Sequence, residues 1–513
     1  VTATPGRHRP RARHHPPSRP ATLEPAIAPA VTVPLTSGPP GPEMGASASG
    51  THPSRDDFAR WETQVHNTGY CTNPIRLHGR IDAVDLATGE MRPVYHTDHE
   101  PGGVLLTACG NRRESVCPPC SQTYKRDARQ LVRAGLTGGK GIPETIAVHP
   151  CVFATFTAPS FGPVHSRRKR GKTILPCRPR RDAAQRRCPH GRDISCPVRH
   201  HEADPRLGKP LCPDCYDYTS AVLFNACAGE LWRRFTTYLP RHLARLAAIT
   251  QRQLREHVAI RYVKVAEYQA RGAVHFHAVI RLDTPGQNYQ PPASPFTAEL
   301  LADAIRDAAA AVRLAVEPDT EHPDRPASTL GFGDQCLPKI IRRSTELPAT
   351  GQALTVQAVA NYIAKYATKT LNAPGLPDHR IRTALDLDRL SCSEHYQRLI
   401  TTAWRLGRQG ACGEPLRKWA HMLGFGGHFL TKSRRYSVTF GQLRTDRRDH
   451  RRAQHHPDGE RDPWGRPLDD TVVLILKTWT VTGTGYRTDA ETELALSAAA
   501  RAREHDEWPV TTT

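Results

Sequence analysis

The sequence predicts an α+β fold: a central antiparallel sheet with flanking helices, inserted zinc-binding modules and a disordered N-terminus. Three observations carry this reading. Short apolar strands are interrupted by amphipathic helices between residues 121 and 371. Cysteine pairs at CxxC spacing fall between those elements, and the first 55 residues are rich in Pro, Ala, Thr, Ser and Arg with almost no aromatics.

The chain's 513 residues exceed one ordinary core, so two or three folded units are expected. Lys and Arg number 71 against 50 Asp and Glu, a formal charge of +21. That excess runs through the middle of the chain, which points to a polyanionic partner and salt-sensitive nucleic-acid binding. No run approaches the length of a membrane span, and Pro20–Val33 is too broken by prolines to be a secretory core. A cytoplasmic protein is expected, and its 14 cysteines then point to metal rather than disulfides.

Order begins near Phe58–Trp61. Ser121–Ala134 has helical spacing, Cys151–Thr157 (CVFATFT) reads as a buried strand, and His165–Arg187 is a basic loop. Ala221–Leu246 is helical; Ala259–Glu267 and Val274–Leu282 read as a strand pair joined at Gly272. After a loop at Thr284–Pro295, helices follow at Ala298–Leu314 and Thr355–Leu371, the second capped by Thr355. Arg444–Pro467 reads as a polar linker, followed by a strand at Thr471–Trp479 and a helix at Ala490–Glu504.

The segment Gly272–Leu282 reads GAVHFHAVIRL. Strand geometry puts His275 and His277 on one face, and Phe276, Ala278, Ile280 and Leu282 on the other. The apolar face packs on helices and leaves the histidines on an open face. If the strand pair is a hairpin, Glu267 falls opposite His275 and joins them. Two imidazoles and a carboxylate suit Mn²⁺ and tolerate Mg²⁺. A chain with 26 histidines also produces such pairs by accident, so the pair alone does not choose.

In TVQAVANYIAKYATKTL, Tyr362 and Tyr366 lie four apart and share a helix face, with Lys365 and Lys369 on a neighbouring stripe. Val356, Val359, Ile363 and Ala367 form the docking side. A phenol with a pKa of about 10 is a poor nucleophile unless a cation activates its target and a lysine stabilises the phenolate. The same spacing also suits two core tyrosines.

Cys117–Cys120 and Cys212–Cys215 are knuckle pairs that present two thiolates to one ion. Two four-cysteine sites are expected: Cys71, Cys109, Cys117 and Cys120, and Cys188, Cys196, Cys212 and Cys215. His190, His200 and Cys177 compete as ligands in the second, and direct pairing of the two knuckles is a rival. Their zinc is expected to be structural, holding DNA-facing loops. Cys151, Cys227, Cys336, Cys392 and Cys412 suit free buried thiols. In GFGGHFLTKSRRY, Lys432, Arg434 and Arg435 interleave with Phe429 and Tyr436, which suits single-strand contact by ion pairing and stacking; a surface turn explains it equally.

Taken in order, CGNRRESVCPPC, VFATFTAPSFGPVH, CPDCYDY, VKVAEYQARGAVHFHAVIRLD, YIAKYATK and LGFGGHFLTKSRRYS resemble the HUH-superfamily initiators of rolling-circle replication. The match is to the two-tyrosine group of actinobacterial plasmids and runs from about Cys71 to Tyr436. The resemblance implies an HUH endonuclease domain and a metal held by His275 and His277, with Glu267 as third ligand. It implies Tyr366 as initiating nucleophile, because single-tyrosine relatives keep that position, and Tyr362 for termination. It also implies a bacterial cytoplasmic enzyme that nicks a hairpin-bearing plasmid origin, leaves a 3′-hydroxyl and works with a host helicase and polymerase. The chain itself has no GxxxxGK[ST] motif.

The expected organisation is a tail at 1–55, a cysteine-rich zinc module at 56–150 and a nicking domain at 151–372 with a zinc insertion near 168–220. A DNA-contact segment at 373–445 and a linker with a small strand–helix tail at 446–513 follow. A two-tyrosine HUH transposase and a non-catalytic zinc-dependent DNA-binding regulator are the alternatives.

Overall fold

The computed structural model describes residues 55–180, 182, 186–286, 289–316, 328–342, 355–368, 376–377, 379–408, 415–455, 461–466 and 473–507. The tail at 1–54, Lys369 and Cys412 lie outside these residues, as do the side chains of Tyr366 and Ala367.

The described chain opens with helix α1 (Arg55–Asn67), then strands β1 (Ile75–Asp85), β2 (Met91–His96) and β3 (Leu105–Thr107). Helix α2 (Pro118–Thr137) starts on two prolines, whose fixed φ and missing amides suit a first turn. Strand β4 (Cys151–Phe156) follows, then an insertion that carries the small hairpin β5 (Arg168–Arg170) and β6 (Thr173–Leu175). Helix α3 (Tyr218–Leu246) is capped by Asp217, and α4 (Gln251–His257) by a Thr250–Gln253 capping box. Then come β7 (Ala259–Tyr268), β8 (Val274–Asp283), α5 (Ala298–Ala311), β9 (Leu314–Val316), β10 (Ser328–Leu330), β11 (Cys336–Ile340) and α6 (Val356–Thr368). The last elements are α7 (Ala384–Asp388), α8 (Glu394–Arg405), β12 (Leu430–Lys432), α9 (Phe440–His455), β13 (Val473–Thr484) and α10 (Asp489–Glu507).

A five-stranded sheet in the order β11-β4-β8-β7-β12 is antiparallel throughout. Alternation along each strand makes two cores. One face, with Ala154, Phe156, Phe276, Ala278 and Ile280, packs on Leu231 and Phe235 of α3 and Leu301 and Ile305 of α5. The other, with Phe153, Val263, Val265 and Val279, packs on Leu131 and Val132 of α2 and Val359 and Ile363 of α6. The histidine face is therefore covered, not open as the alternation alone suggests. The helix that covers it is the one that bears the tyrosines.

Two further expectations change. The C-terminal strand does not form a separate small tail: β13 pairs with β1 along the whole of β1, so strands from early and late in the chain share one sheet. The polar stretch from Arg444 is helical through His455 in α9, because Leu443 is buried and Arg447 forms a bidentate pair with buried Asp127 of α2. Among the described residues, no helix is long and apolar enough to cross a membrane.

Candidate functional site

Strands β7 and β8 pair so that Glu267 stands opposite His275 and Val265 opposite His277, while Thr155 of β4 flanks His277 on the other side. The turn between them, Gln269–Ala273, needs Gly272: its φ is +77°, and a Cβ there would lie 2.6 Å from Leu399. Asn225 of α3, fully buried, donates to the carbonyls of Gly272 and Leu423 and accepts from the Val274 amide. This side chain fixes the hairpin from behind, and no sequence motif marked it.

The Nε2 atoms of His275 and His277 lie 2.9 and 3.2 Å from the same oxygen of Glu267. All three side chains are largely buried, and their ligand atoms fall within 4.8 Å of one another, a separation that one cation can span. His277 Nδ1 is 3.0 Å from the Thr155 hydroxyl, which can accept the Nδ1–H and direct Nε2 toward Glu267. Phe153 stacks on the His277 ring, 5.7 Å between centroids. Thr155 and Phe153 were legible only as strand residues, because nothing local reveals which strand lies beside β8.

Helix α6 begins where the Thr355 hydroxyl accepts from the Ala358 amide, and Val359, Ile363 and Ala364 bury its inner side. Tyr362 reaches the triad: its hydroxyl is 3.4 Å from His277 Nε2, and its ring meets Phe153 edge-on. It stays about one-third exposed, open to a ligand from outside. Lys365 is exposed on the same helix, and Tyr366 follows Tyr362 by one turn of backbone.

The cysteines form clusters that could hold zinc. Cys71, Cys109, Cys117 and Cys120 come together, with Sγ–Sγ separations of 3.7 Å for Cys71–Cys117 and for Cys109–Cys120. Metal–sulfur bonds of ~2.3 Å in a tetrahedron give edges of about 3.7 Å. The amides of Cys109 and Asn111 donate to the sulfurs of Cys71 and Cys109. The second expected set is not the one formed. Cys188, Cys212 and Cys215 join His190, whose Nδ1 is 3.2 Å from Cys215 Sγ. Cys196 is carried away by its two backbone hydrogen bonds to Arg178, which set it near Cys177. The knuckles do not pair with each other. Cys151, Cys336 and Cys392 are free thiols, whereas Cys227 is disulfide-bonded.

The basic–aromatic segment divides in two. Arg434 and Arg435 are exposed, as a nucleic-acid contact requires. Lys432 is half-buried and turned inward, donating to the carbonyls of Arg434 and Ser437 at 3.1 and 2.8 Å. Burial pushes its pKa down. Tyr436 is not a stacking platform: it is fully buried against Gly135 of α2, and its hydroxyl donates to the Val132 carbonyl. The alternation of cations and rings misleads here because a ring's orientation is set by the helix across from it.

Comparison with known proteins adds a further finding. The family profile for "Replication initiator protein, pSAM2" matches residues 57–500. A replication initiator protein from Streptomyces ambofaciens is 45% identical over 456 residues, covering 87% of this chain and 91% of the relative. No solved structure matches.

Proposed function

The chain belongs to the replication initiator family of pSAM2, and from that premise we propose that it is an HUH-type nickase that cuts one strand of plasmid origin DNA with a tyrosine. The observation that carries the reading is the convergence of the His275 and His277 Nε2 atoms on one Glu267 oxygen, with the Tyr362 hydroxyl 3.4 Å from His277. A bound Mn²⁺ or Mg²⁺ would supply Lewis acidity toward a non-bridging phosphate oxygen. The rest falls to the protein's own groups. Glu267 contributes negative charge, Thr155 holds the His277 tautomer, and Phe153 fixes the ring plane.

Attack by a phenolic oxygen forms a phosphorus–oxygen bond as the bond to the 3′-oxygen breaks. The phenolic proton leaves to water, and the 3′-oxygen takes one up. The products are a 5′-phosphotyrosine and a free 3′-hydroxyl for the host polymerase. The bond count is unchanged, so rejoining needs no ATP. Tyr366 serves the first attack and Tyr362 the terminating transfer, while Lys365 and Lys369 stabilise phenolate or phosphate. Arg434 and Arg435 contact the DNA backbone, and a host helicase separates the strands. Family membership favours replication over a transposase. The zinc clusters hold the surrounding loops as structural sites.

The test is to incubate the full chain with supercoiled origin DNA and Mn²⁺. A protein-linked nicked circle is expected, and His277→Ala should lose it while still binding the origin. Undiminished nicking by His277→Ala in chelator-treated buffer with Mg²⁺ would refute the ligand assignment. Binding without nicking by the unmodified chain would favour the regulator reading.

A further inference from the structure

The insertion between β4 and α3 contains a second histidine–cysteine constellation away from the knuckle pairs. His165, Cys177, Cys196 and His200 offer ligand atoms that all lie within 4.8 Å of one another. Cys177, Cys196 and His200 are buried. His165 Nδ1 is 3.2 Å and Cys196 Sγ 3.4 Å from His200 Nε2. A tetrahedral zinc would give nitrogen–nitrogen edges of about 3.3 Å and nitrogen–sulfur edges of about 3.5 Å. The Ser166 amide donates to Cys177 Sγ at 3.2 Å, the kind of bond that stabilises a thiolate ligand.

An outer layer supports these ligands. Asp204 accepts from His200 Nδ1 at 2.7 Å, which leaves Nε2 facing the cluster. Arg206 holds both Asp204 oxygens, at 3.1 and 2.8 Å. Carboxylate–histidine pairs of this kind orient metal-bound imidazoles. The loop then runs into Gly208, whose amide donates to the His165 carbonyl. Gly208 has φ +82°, and a Cβ there would lie 2.2 Å from the carbonyl carbon of Ala270. Its backbone lies flat on the turn that joins β7 to β8.

We infer that His165, Cys177, Cys196 and His200 form a third structural zinc site, of Cys₂His₂ type, which braces the Gln269–Ala273 turn through Gly208. The three sites together present nine thiolates and three imidazoles to three ions.

Native mass spectrometry of the full chain should count three zinc ions, and two would overturn the site. Cobalt-substituted protein should show thiolate charge-transfer intensity for nine sulfurs over three tetrahedral ions, not seven over two. His200→Ala should retain two ions. Asp204→Asn should keep three but release one to a chelator roughly 10–100-fold more readily. Hydrogen exchange reads the brace directly. Gly208→Ala should keep three ions yet exchange faster at residues 269–273, as should His200→Ala. Unchanged protection there in a two-zinc His200→Ala protein would refute the bracing role.

Discussion

Arg281 is fully buried in strand β8, and replacing it tests the far end of the face that carries the histidines. Its guanidinium makes a bidentate pair with Asp283, at 2.6 and 2.9 Å, and donates to the carbonyls of Gly135 in α2 and of Tyr436. His149 is 2.8 Å from the same carboxylate. Burial alone would raise the Asp283 pKa, but hydrogen bonds from His149 and Arg281 outweigh it and hold the carboxyl below its usual range. Arg281→Met preserves length and apolar stem, yet leaves a buried carboxylate short of its main partner and two carbonyls without a donor. Removing one partner of a buried pair costs about 3–5 kcal/mol. The melting temperature should fall on the order of 3–10 °C at pH 7.

The pH dependence identifies the cause. Because the wild-type carboxyl is depressed, its contribution is present above the unfolded pKa of about 4 and is lost as pH falls through the folded value. In the variant, burial raises that carboxyl instead. The gap between the two proteins should therefore be widest at neutral pH and narrow toward pH 4. Adding Asp283→Asn should recover part of the loss. Calorimetry of the full chain at several pH values reads both effects. A variant within about 1 kcal/mol of wild type at pH 7, or a deficit that does not shrink on acidification, would refute the reasoning.

Three other substitutions probe the sheet and its covering helix. Tyr366→Phe should abolish the covalent adduct on supercoiled origin DNA, whereas Tyr362→Phe should nick yet fail to close the displaced strand. Loss of the adduct in Tyr362→Phe alone would exchange the roles, and equal nicking would make the two interchangeable. Lys264 is buried with its ammonium 4.0 Å above the Phe276 ring, and burial pushes its pKa down to about 7. The unfolded chain keeps that proton up to about 10.5, so wild-type stability should rise with pH between about 7 and 10.5. Holding the amine neutral at pH 8 costs about 3 kcal/mol. Lys264→Met should be more stable by up to that amount and lack the slope, as urea titrations at pH 7 and 9.5 would show. A less stable variant would mean that the cation–ring contact outweighs desolvation.

Much of the central site is legible in the order of the amino acids. The two-residue period of a strand places His275 and His277 on one face whatever surrounds them, and a short turn leaves little freedom in setting Glu267 opposite His275. The four-residue spacing of Tyr362 and Tyr366 and the turns of the two CxxC pairs are equally local. These features follow from covalent geometry within about a dozen residues, so the sequence alone determined them.

Only the tertiary structure decided which helix covers the histidines, which strand supplies Thr155, and how the cysteines and histidines divide among clusters. Cys196 and His190 exchange expected places because backbone pairing with Arg178 commits Cys196 elsewhere, a contact that no cysteine spacing encodes. Tyr436 turns inward because it meets α2, where its hydroxyl bonds a carbonyl 304 residues away in sequence. Burial and ligand choice depend on which distant surfaces meet. Chain spacing limits those meetings only weakly, since lengthening a loop adds little closure entropy, and close packing across the sheet selects among them.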